Sequence, residues 1–309
     1  MFKLSLICPM YKVSGYLPDL IESLLVGANS PQVEVIFVDD CCPEGSGDVC
    51  EQLLNSFSRR VEFQWQLLRL DVNQGLGEAR NCGMKLASGD YIGFVDSDDV
   101  VMPSYWATLH DSIKLNNRPQ IIEFGYSEFR DYENISVESK LRLPYKSCFQ
   151  PFYTGFFAWS RIYRADLIDG MRFIHRTYED IAFVSSSFIN AQSIFLVNEA
   201  LVGYRKRSGS ITAHRNSSYS CILANLVDAY SRLNSKIRDD GRFSALIFYK
   251  IFVILLKGTR IADRSERRSF FLKCQPPISE ASEIFFGSGA LGFFRRQLLS
   301  LALVIGVRY

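Results

Sequence analysis

Short apolar runs alternate with longer amphipathic ones through the first 125 residues, and two of the short runs end in paired acids. Leu4–Cys8, Val33–Val38, Val61–Leu70, Tyr91–Val95 and Ile121–Tyr126 are strand-like in length and in their β-branched and aromatic content. Between them, Leu17, Leu20, Ile21, Leu24 and Leu25 recur at helical spacing within Leu17–Val26. Val49–Phe57, Gly75–Ala87 and Pro103–Leu115 are the other expected helices. Gly89 stands near a C′ position of one, and Pro103 opens another. This strand–helix order predicts an α/β fold with a mainly parallel sheet and helices on both faces. In such sheets ligands bind beyond the carboxyl ends of the strands. Asp39-Asp40 and Asp96-Ser97-Asp98-Asp99 stand at two such ends and mark the expected site.

Residues 127–155 are polar and turn-rich, which predicts an excursion or lid, and 154–212 is mixed α/β. Beyond Asn216 the pattern is helical, over Tyr219–Lys236, Phe243–Lys257 and Leu291–Arg308. A length of 309 residues gives a prior of about two domains. The expected partition is an α/β unit over 1–215, in halves 1–125 and 126–215, and a helical C-terminal appendage over 216–309.

The net charge of +2, from 35 basic and 33 acidic residues, excludes a nucleic-acid-binding footprint. It is uneven, however. Residues 257–309 hold nine Lys/Arg against four Asp/Glu, or +5, so residues 1–256 carry 2 − 5 = −3. In the basic end, Phe293, Phe294, Leu298, Leu299 and Leu301 are interleaved with Arg295 and Arg296. Residues 289–309 are thus expected to make peripheral membrane contact, with a core bundle or a homodimer interface as the competing expectation. No uncharged apolar stretch reaches the roughly 17–25 residues of a bilayer span. Six residues between Lys3 and Met10 are too few for a signal-peptide core. Eight cysteines without a Cys-x-x-Cys pair read as reduced thiols, so the expected location is cytoplasmic, at the inner face of the plasma membrane if the tail binds lipid.

Asp96 and Asp98, at i and i+2 in an extended segment, point to one side and suit a hard cation or a shared ligand. A solvated turn would look similar; position after the most apolar strand favours the site. Asp39 and Asp40 suit either turn chemistry or acceptance of hydrogen bonds from a base or ribose. Asn73–Asn81 carries Gly75 and Gly77 but has Arg80 where a dinucleotide fingerprint needs a third glycine, and it follows the third strand. A nicotinamide enzyme is therefore disfavoured, and Arg80 at a helix head suits a nucleotide contact. Glu179-Asp180 before Ile181–Val184 read as helix N-terminal acids or as a general base. Tyr204–Thr212 gathers Arg205, Arg207 and Ser210 in a turn that suits a diphosphate or a solvated loop, and His214 is a candidate metal ligand. His110 and His175 are read as structural.

Six blocks resemble, in family order, the family-2 glycosyltransferases of the GT-A fold, particularly bacterial enzymes that build surface polysaccharides. They are LSLICPMYKVSGYLPDLIESLL, EVIFVDD, NQGLGEARNCGMKLASGDYIGFVDSDDVVMP, WSRIYRADLI, YEDIAF and LVGYRKRSGSIT, between residues 4 and 212. The resemblance implies a GT-A (Rossmann-like) domain over 1–215, with 1–125 binding a nucleotide sugar and 126–215 supplying acceptor and base. It implies an inverting transfer of a hexose or N-acetylhexosamine from a UDP-sugar to a lipid-linked glycan acceptor.

By the same resemblance, Pro9 and Tyr11 line the nucleotide pocket and Asp40 bonds the uracil with Asp39 beside it. Arg80 and Asn81 lie near base and ribose. Asp96, with Ser97 next to it, meets the ribose or the metal's hydration shell, and Asp98 binds Mn2+ or Mg2+. Asp180 is the base, supported by Glu179, while Arg205, Arg207 and Ser210 close over the diphosphate. Lys12 stands where members usually have Asn, and CCPEGSGD replaces the usual turn after Asp40; both departures adjoin the nucleotide. The competing functions are a sugar nucleotidyltransferase, which lacks its Gly-rich loop after the first strand, and a catalytically silent scaffold.

Overall fold

The computed structural model describes residues 2–27, 32–58, 60, 63–129, 155–174, 178–207, 222–228, 263–269 and 272–273. The chain divides into two compact units, Met1–Arg207 and Ser208–Tyr309. In the first unit the order is β1 (Leu4–Met10), α1 (Leu17–Leu25), β2 (Val33–Asp39), α2 (Ser46–Ser56), β3 (Gln64–Arg69), α3 (Leu76–Leu86), β4 (Tyr91–Phe94), β5 (Val100–Val101), α4 (Tyr105–Leu115) and β6 (Ile121–Phe129). A 3-10 turn (Ala158–Ser160), β7 (Arg161–Arg164), α5 (Ala165–Ile168), α6 (Asp180–Asn190) and β8 (Ile194–Arg205) complete it.

The strands form one sheet in the order β3-β2-β1-β4-β7-β6-β8-β5. β1 runs parallel to β2 and β4, β2 to β3, and β6 to β8. β7 is antiparallel to both β4 and β6, so β6 and β4 point the same way. Only β7 and β5 therefore run against the rest, which makes the sheet mainly parallel as its sequence order requires.

Alternate residues of β1 feed two cores. Leu4, Leu6, Cys8 and Met10 pack with α1, α2 and α4 on one face. On the other, Ile7 joins Ile36, Val38 and Phe94 against α3 and α6. The five leucines and isoleucines read at helical spacing in α1 are all buried, each worth roughly 1.5–3 kcal/mol of apolar transfer. α3 reaches the sheet because Gly83 has no side chain: a Cβ there would lie 2.4 Å from Ile7 Cγ2.

Several elements differ from the sequence expectation, β3 among them, which spans Gln64–Arg69 within the expected Val61–Leu70. α2 starts at Ser46, three residues before Val49, because Gly45 takes a left-handed φ of 71° and turns the chain into the helix early. β6 runs on to Phe129, into the expected excursion, because its second half pairs with β8 from Tyr126↔Val202 to Phe129↔Arg205. β5, two residues paired with β8, was not foreseen. The rest of the excursion, 130–154, lies outside the described residues, as do Phe243–Lys257 and Leu291–Arg308. Within Tyr219–Lys236, residues 222–228 are helical, and 264–269 form a further helical stretch. Among the described residues no helix is long and apolar enough to cross a membrane.

Candidate active site

Strand register brings the two acidic segments to one edge. Met10 of β1 pairs with Asp39 of β2, and Ile7 pairs with Phe94 of β4, whose next residue donates its N–H to the Ile7 carbonyl at 3.1 Å. Ser97 Oγ donates to the Pro9 carbonyl at 2.6 Å and ties the two strand ends together. Tyr11 stands exposed at the same edge, with the Lys12 ammonium 5.6 Å from its ring centre.

Arg80, in the first turns of α3, is the hub. Its side chain is 1% exposed. Nη1 donates to Glu179 Oε1 at 2.5 Å and to Asp180 Oδ1 at 2.6 Å, and Nη2 donates to Asp96 Oδ1 at 2.7 Å. Phe94 and Phe173 lie within cation–π reach, at 5.9 and 5.3 Å. Three carboxylates facing one guanidinium leave two uncompensated negative charges if all are ionised. Burial therefore pushes the Glu179 carboxyl up to about 8, aided by the Asp180 charge and opposed by Arg80. Burial also raises Asp96 to about 6, helped by Asp98 and Asp180. Asp96 keeps 23% of its side chain exposed, so water softens that rise; Glu179, at 4%, has no such relief. Tyr178, just before this pair, is held at a left-handed φ of 55°, the kind of strain that collects at functional sites.

Asp180 is the first residue of α6, with 16% of its side chain exposed. Its second oxygen, Oδ2, accepts the Ala158 N–H at 3.1 Å. The 3-10 turn that carries this donor is fixed by stacked rings: Phe157 on Trp159 at 4.9 Å, and Trp159 on Tyr204 at 5.4 Å.

Asp98 faces Arg207, whose Nε lies 2.5 Å from Asp98 Oδ2. Arg205 behaves differently. Its N–H donates to Asp99 Oδ1 at 2.7 Å, its Nε to the Asp98 carbonyl at 2.8 Å and its Nη2 to Asp19 Oδ2 at 2.7 Å. Its guanidinium lies against Tyr16 and Phe129. Arg205 thus shapes the acidic turn from behind, while Arg207 meets the acid itself. Asp99 is buried, and desolvation with the Asp98 and Asp96 charges raises it well above the usual carboxylate range.

Asp40 bonds the chain rather than open space. Oδ1 accepts Gln74 N–H at 2.7 Å, and Oδ2 accepts Gly75 N–H at 2.8 Å and Asn73 Nδ2 at 2.9 Å. It thereby sets the loop that leads into α3 and Arg80. Asp39 Oδ1 accepts the Cys42 N–H at 2.9 Å. Asn81 accepts the Phe173 N–H at 2.9 Å and donates from Nδ2 to the Phe173 carbonyl at 2.8 Å and to Glu78 Oε2 at 2.7 Å. Ser210 and His214 lie outside the described residues.

Sequence reasoning named Arg80, Asp96, Glu179 and Asp180, which the fold joins, and Asp98 and Arg207, which face each other. Arg80 is buried on the three acids and not open to a nucleotide as expected. It missed Asp19, Asn73 and the Ala158 N–H. Asn73 and Asp19 stood within quoted motifs but carried no signal of their partners. A backbone donor carries none at all.

Among the described residues no three His, Cys, Asp or Glu side chains form an all-protein metal cage. Asp98, 18% exposed, and Asp96 still offer hard oxygen donors at one rim. This fits a small divalent cation, which commonly takes one or two carboxylates and completes its shell from substrate phosphate and water.

An open, mainly parallel sheet with acids gathered at its carboxyl edge is the architecture of GT-A transferases. The family model for glycosyl transferase family 2 matches residues 5–172, more than half the chain, and the chain belongs to that family. Among curated proteins it is 26% identical over 229 residues to the glycosyltransferase GlyA of Streptococcus pneumoniae, covering 68% of this chain and 31% of GlyA. It is 30% identical over 223 residues to the uncharacterized glycosyltransferase EpsJ of Bacillus subtilis, covering 67% of this chain and 62% of EpsJ. The match therefore spans less than two thirds of either relative. Among solved structures, S. aureus TarS residues 1–349 in complex with UDP-GlcNAc aligns with a TM-score of 0.70 at 19% identity, covering 93% of this chain and 83% of that one. That likeness concerns the fold.

Proposed function

We propose that this chain is an inverting, metal-dependent hexosyltransferase that moves a hexose or N-acetylhexosamine from a UDP-sugar to a hydroxyl of a lipid-linked glycan in bacterial surface-polysaccharide synthesis. The observation that carries this reading is one base-type carboxylate, Asp180, held by Arg80 beside the acidic turn of Asp96. UDP is favoured by the family resemblance and by the UDP-GlcNAc bound to TarS. A surface-polysaccharide acceptor follows from the family resemblance.

In this reading Pro9, Tyr11, Asp39 and Ser97 border the nucleotide, and Asp40 shapes its pocket by fixing residues 73–75. Asp98, with Asp96 beside it, would hold Mn2+ or Mg2+, which supplies Lewis-acid stabilisation of the leaving diphosphate when bound. Arg207 faces the same rim and would add its positive charge to the diphosphate, where negative charge develops. Asp180 takes the proton of the acceptor hydroxyl as that oxygen attacks the anomeric carbon. A single displacement needs one base and inverts the configuration; two carboxylates flanking the bond would suit a glycosidase. The transferase unit is taken to span 1–215, with 216–309 bringing it to a cytoplasmic membrane surface or to a second subunit.

A thermal-shift screen of UDP-, GDP- and dTDP-sugars with and without MnCl2 tests the donor. Stabilisation by UDP-sugars that depends on Mn2+ is expected, followed by release of free UDP when polyprenyl-diphosphate-linked saccharides are added. Pyrophosphate as product would replace the reading with a nucleotidyltransferase. No donor response and no transfer would leave a scaffold.

A further inference from the structure

The Asp180 carboxylate is gripped on both oxygens. Oδ1 receives Arg80 Nη1 at 2.6 Å, and Oδ2 receives the Ala158 N–H at 3.1 Å. The second contact traces back to another arginine. Arg161, with no exposed side chain, donates from Nη1 to the Phe157 carbonyl at 2.5 Å and from Nη2 to the Gly155 carbonyl at 2.9 Å. The Phe157 carbonyl belongs to the same peptide group as the Ala158 N–H. The bond to Arg161, the shortest of three on that oxygen beside Ser160 Oγ at 3.1 Å and Ser160 N–H at 3.4 Å, therefore helps to set the plane from which the Ala158 N–H points. Arg161 is held in turn by an ion pair with Glu123 Oε1 at 3.3 Å, and by the Phe188 ring at 5.1 Å. Glu123 lies in β6 and Phe188 in α6, the helix that Asp180 begins.

A fully buried ion pair is weak evidence for stability alone, because desolvation cancels much of the Coulomb gain. Arg161 does more than pair with Glu123: it crosslinks two backbone carbonyls just before the turn that touches Asp180. The peptide dipole also matters. A guanidinium on the Phe157 carbonyl polarises the peptide and strengthens its N–H as a donor to the carboxylate.

We propose that Arg161 is a positioning residue for the transfer reaction, acting through the Phe157–Ala158 peptide to orient the Asp180 carboxylate that Arg80 holds from the other side. This rests on the reading of Asp180 as the base. With both oxygens fixed, the lone pair that takes the acceptor proton has one direction, and misplacing it by about 1 Å can lower turnover on the order of 100-fold.

Ala158→Pro disturbs the contact. It removes the N–H and puts the ring Cδ where the hydrogen pointed, against Asp180 Oδ2, so the carboxylate both loses its donor and is displaced. Phe157 already has φ −93° and ψ 112°, a conformation that a following proline accepts. Arg161→Lys keeps the charge beside Glu123 but cannot span both carbonyls, and Arg161→Met removes it. Turnover is read as UDP release from whichever of UDP-N-acetylglucosamine, UDP-glucose or UDP-galactose is fastest with MnCl2. UDP affinity is read by calorimetry. Ala158→Pro is expected to lower kcat at least about 10-fold with UDP affinity unchanged, and Arg161→Lys is expected to fall between wild type and Arg161→Met.

A thermal-unfolding cycle of Ala158→Pro with Asp180→Ala needs no turnover: the Tm loss from the proline should largely vanish once Asp180 is absent. Wild-type kcat in Ala158→Pro, or Tm losses that simply add, would overturn the proposal. Turnover surviving in Asp180→Asn would overturn the base itself. An inactive Asp180→Asn beside a fully active Ala158→Pro would overturn the positioning role alone.

Discussion

Arg80 and Asp180 lie 100 positions apart in the chain and meet at 2.6 Å, in a pocket where the arginine is 1% exposed. The same guanidinium holds Asp96 and Glu179. Asp96 and Asp180 are thereby fixed relative to each other by one side chain. Arg80 accordingly reads as the link between the two halves of the site.

Removing that link leaves carboxylates buried without a counter-charge. Arg80→Met should destabilise the first unit by about 3–5 kcal/mol, the cost of breaking a buried ion pair from one side. Urea unfolding at pH 7 measures it. A loss under about 1 kcal/mol would mean that the acids rearrange to water.

Glu179 gives a pH signature. Its folded-state value of about 8 lies above the ordinary 4.5, so the folded protein holds a proton that the unfolded chain releases. That contribution is fully present below about 4.5 and is lost as pH rises through 8. Asp96, raised to about 6, adds to the loss in the lower part of this window. Stability should decline between pH 5 and 9, and Glu179→Gln should flatten the decline. Parallel Tm–pH curves for the two proteins would contradict this.

Close approach of α3 to β1 depends on Gly83, where a Cβ would meet Ile7 Cγ2 at 2.4 Å. Gly83→Ala should cost roughly 1–3 kcal/mol through overpacking, read by chemical denaturation. An unchanged midpoint would show that Ile7 moves aside freely.

How much of this was legible in the chain depended on whether the signal was local. Period and turn chemistry gave α1, α3, α4, β1, β2 and β4 nearly to the residue, and strand ends pointed to Asp39 and Asp96–Asp99. The grouping of Arg80 with Glu179 was not local: it needs β4, α3 and α6 brought together, which no spacing in the sequence encodes. Asn81 and Asp40 illustrate the converse. Both stand in recognisable motifs, yet Asn81 bonds the Phe173 backbone and Asp40 bonds residues 73–75. A motif identifies a position in the fold before it identifies a contact.

Asp98 and Arg207 form an ion pair at the rim. If Asp98 holds the cation, Asp98→Asn should abolish the Mn2+-dependent thermal shift with UDP while leaving the Tm without ligand within about 2 °C. Retained Mn2+ dependence would move the metal site elsewhere.

The most direct test of the central claim is paired measurement on Asp180→Asn: UDP affinity by calorimetry and UDP release in the presence of acceptor. The asparagine keeps an oxygen for the Ala158 N–H or Arg80 but cannot take a proton. Wild-type affinity with turnover reduced by several orders of magnitude is the predicted result; near-wild-type turnover would contradict the assignment of Asp180 as the base.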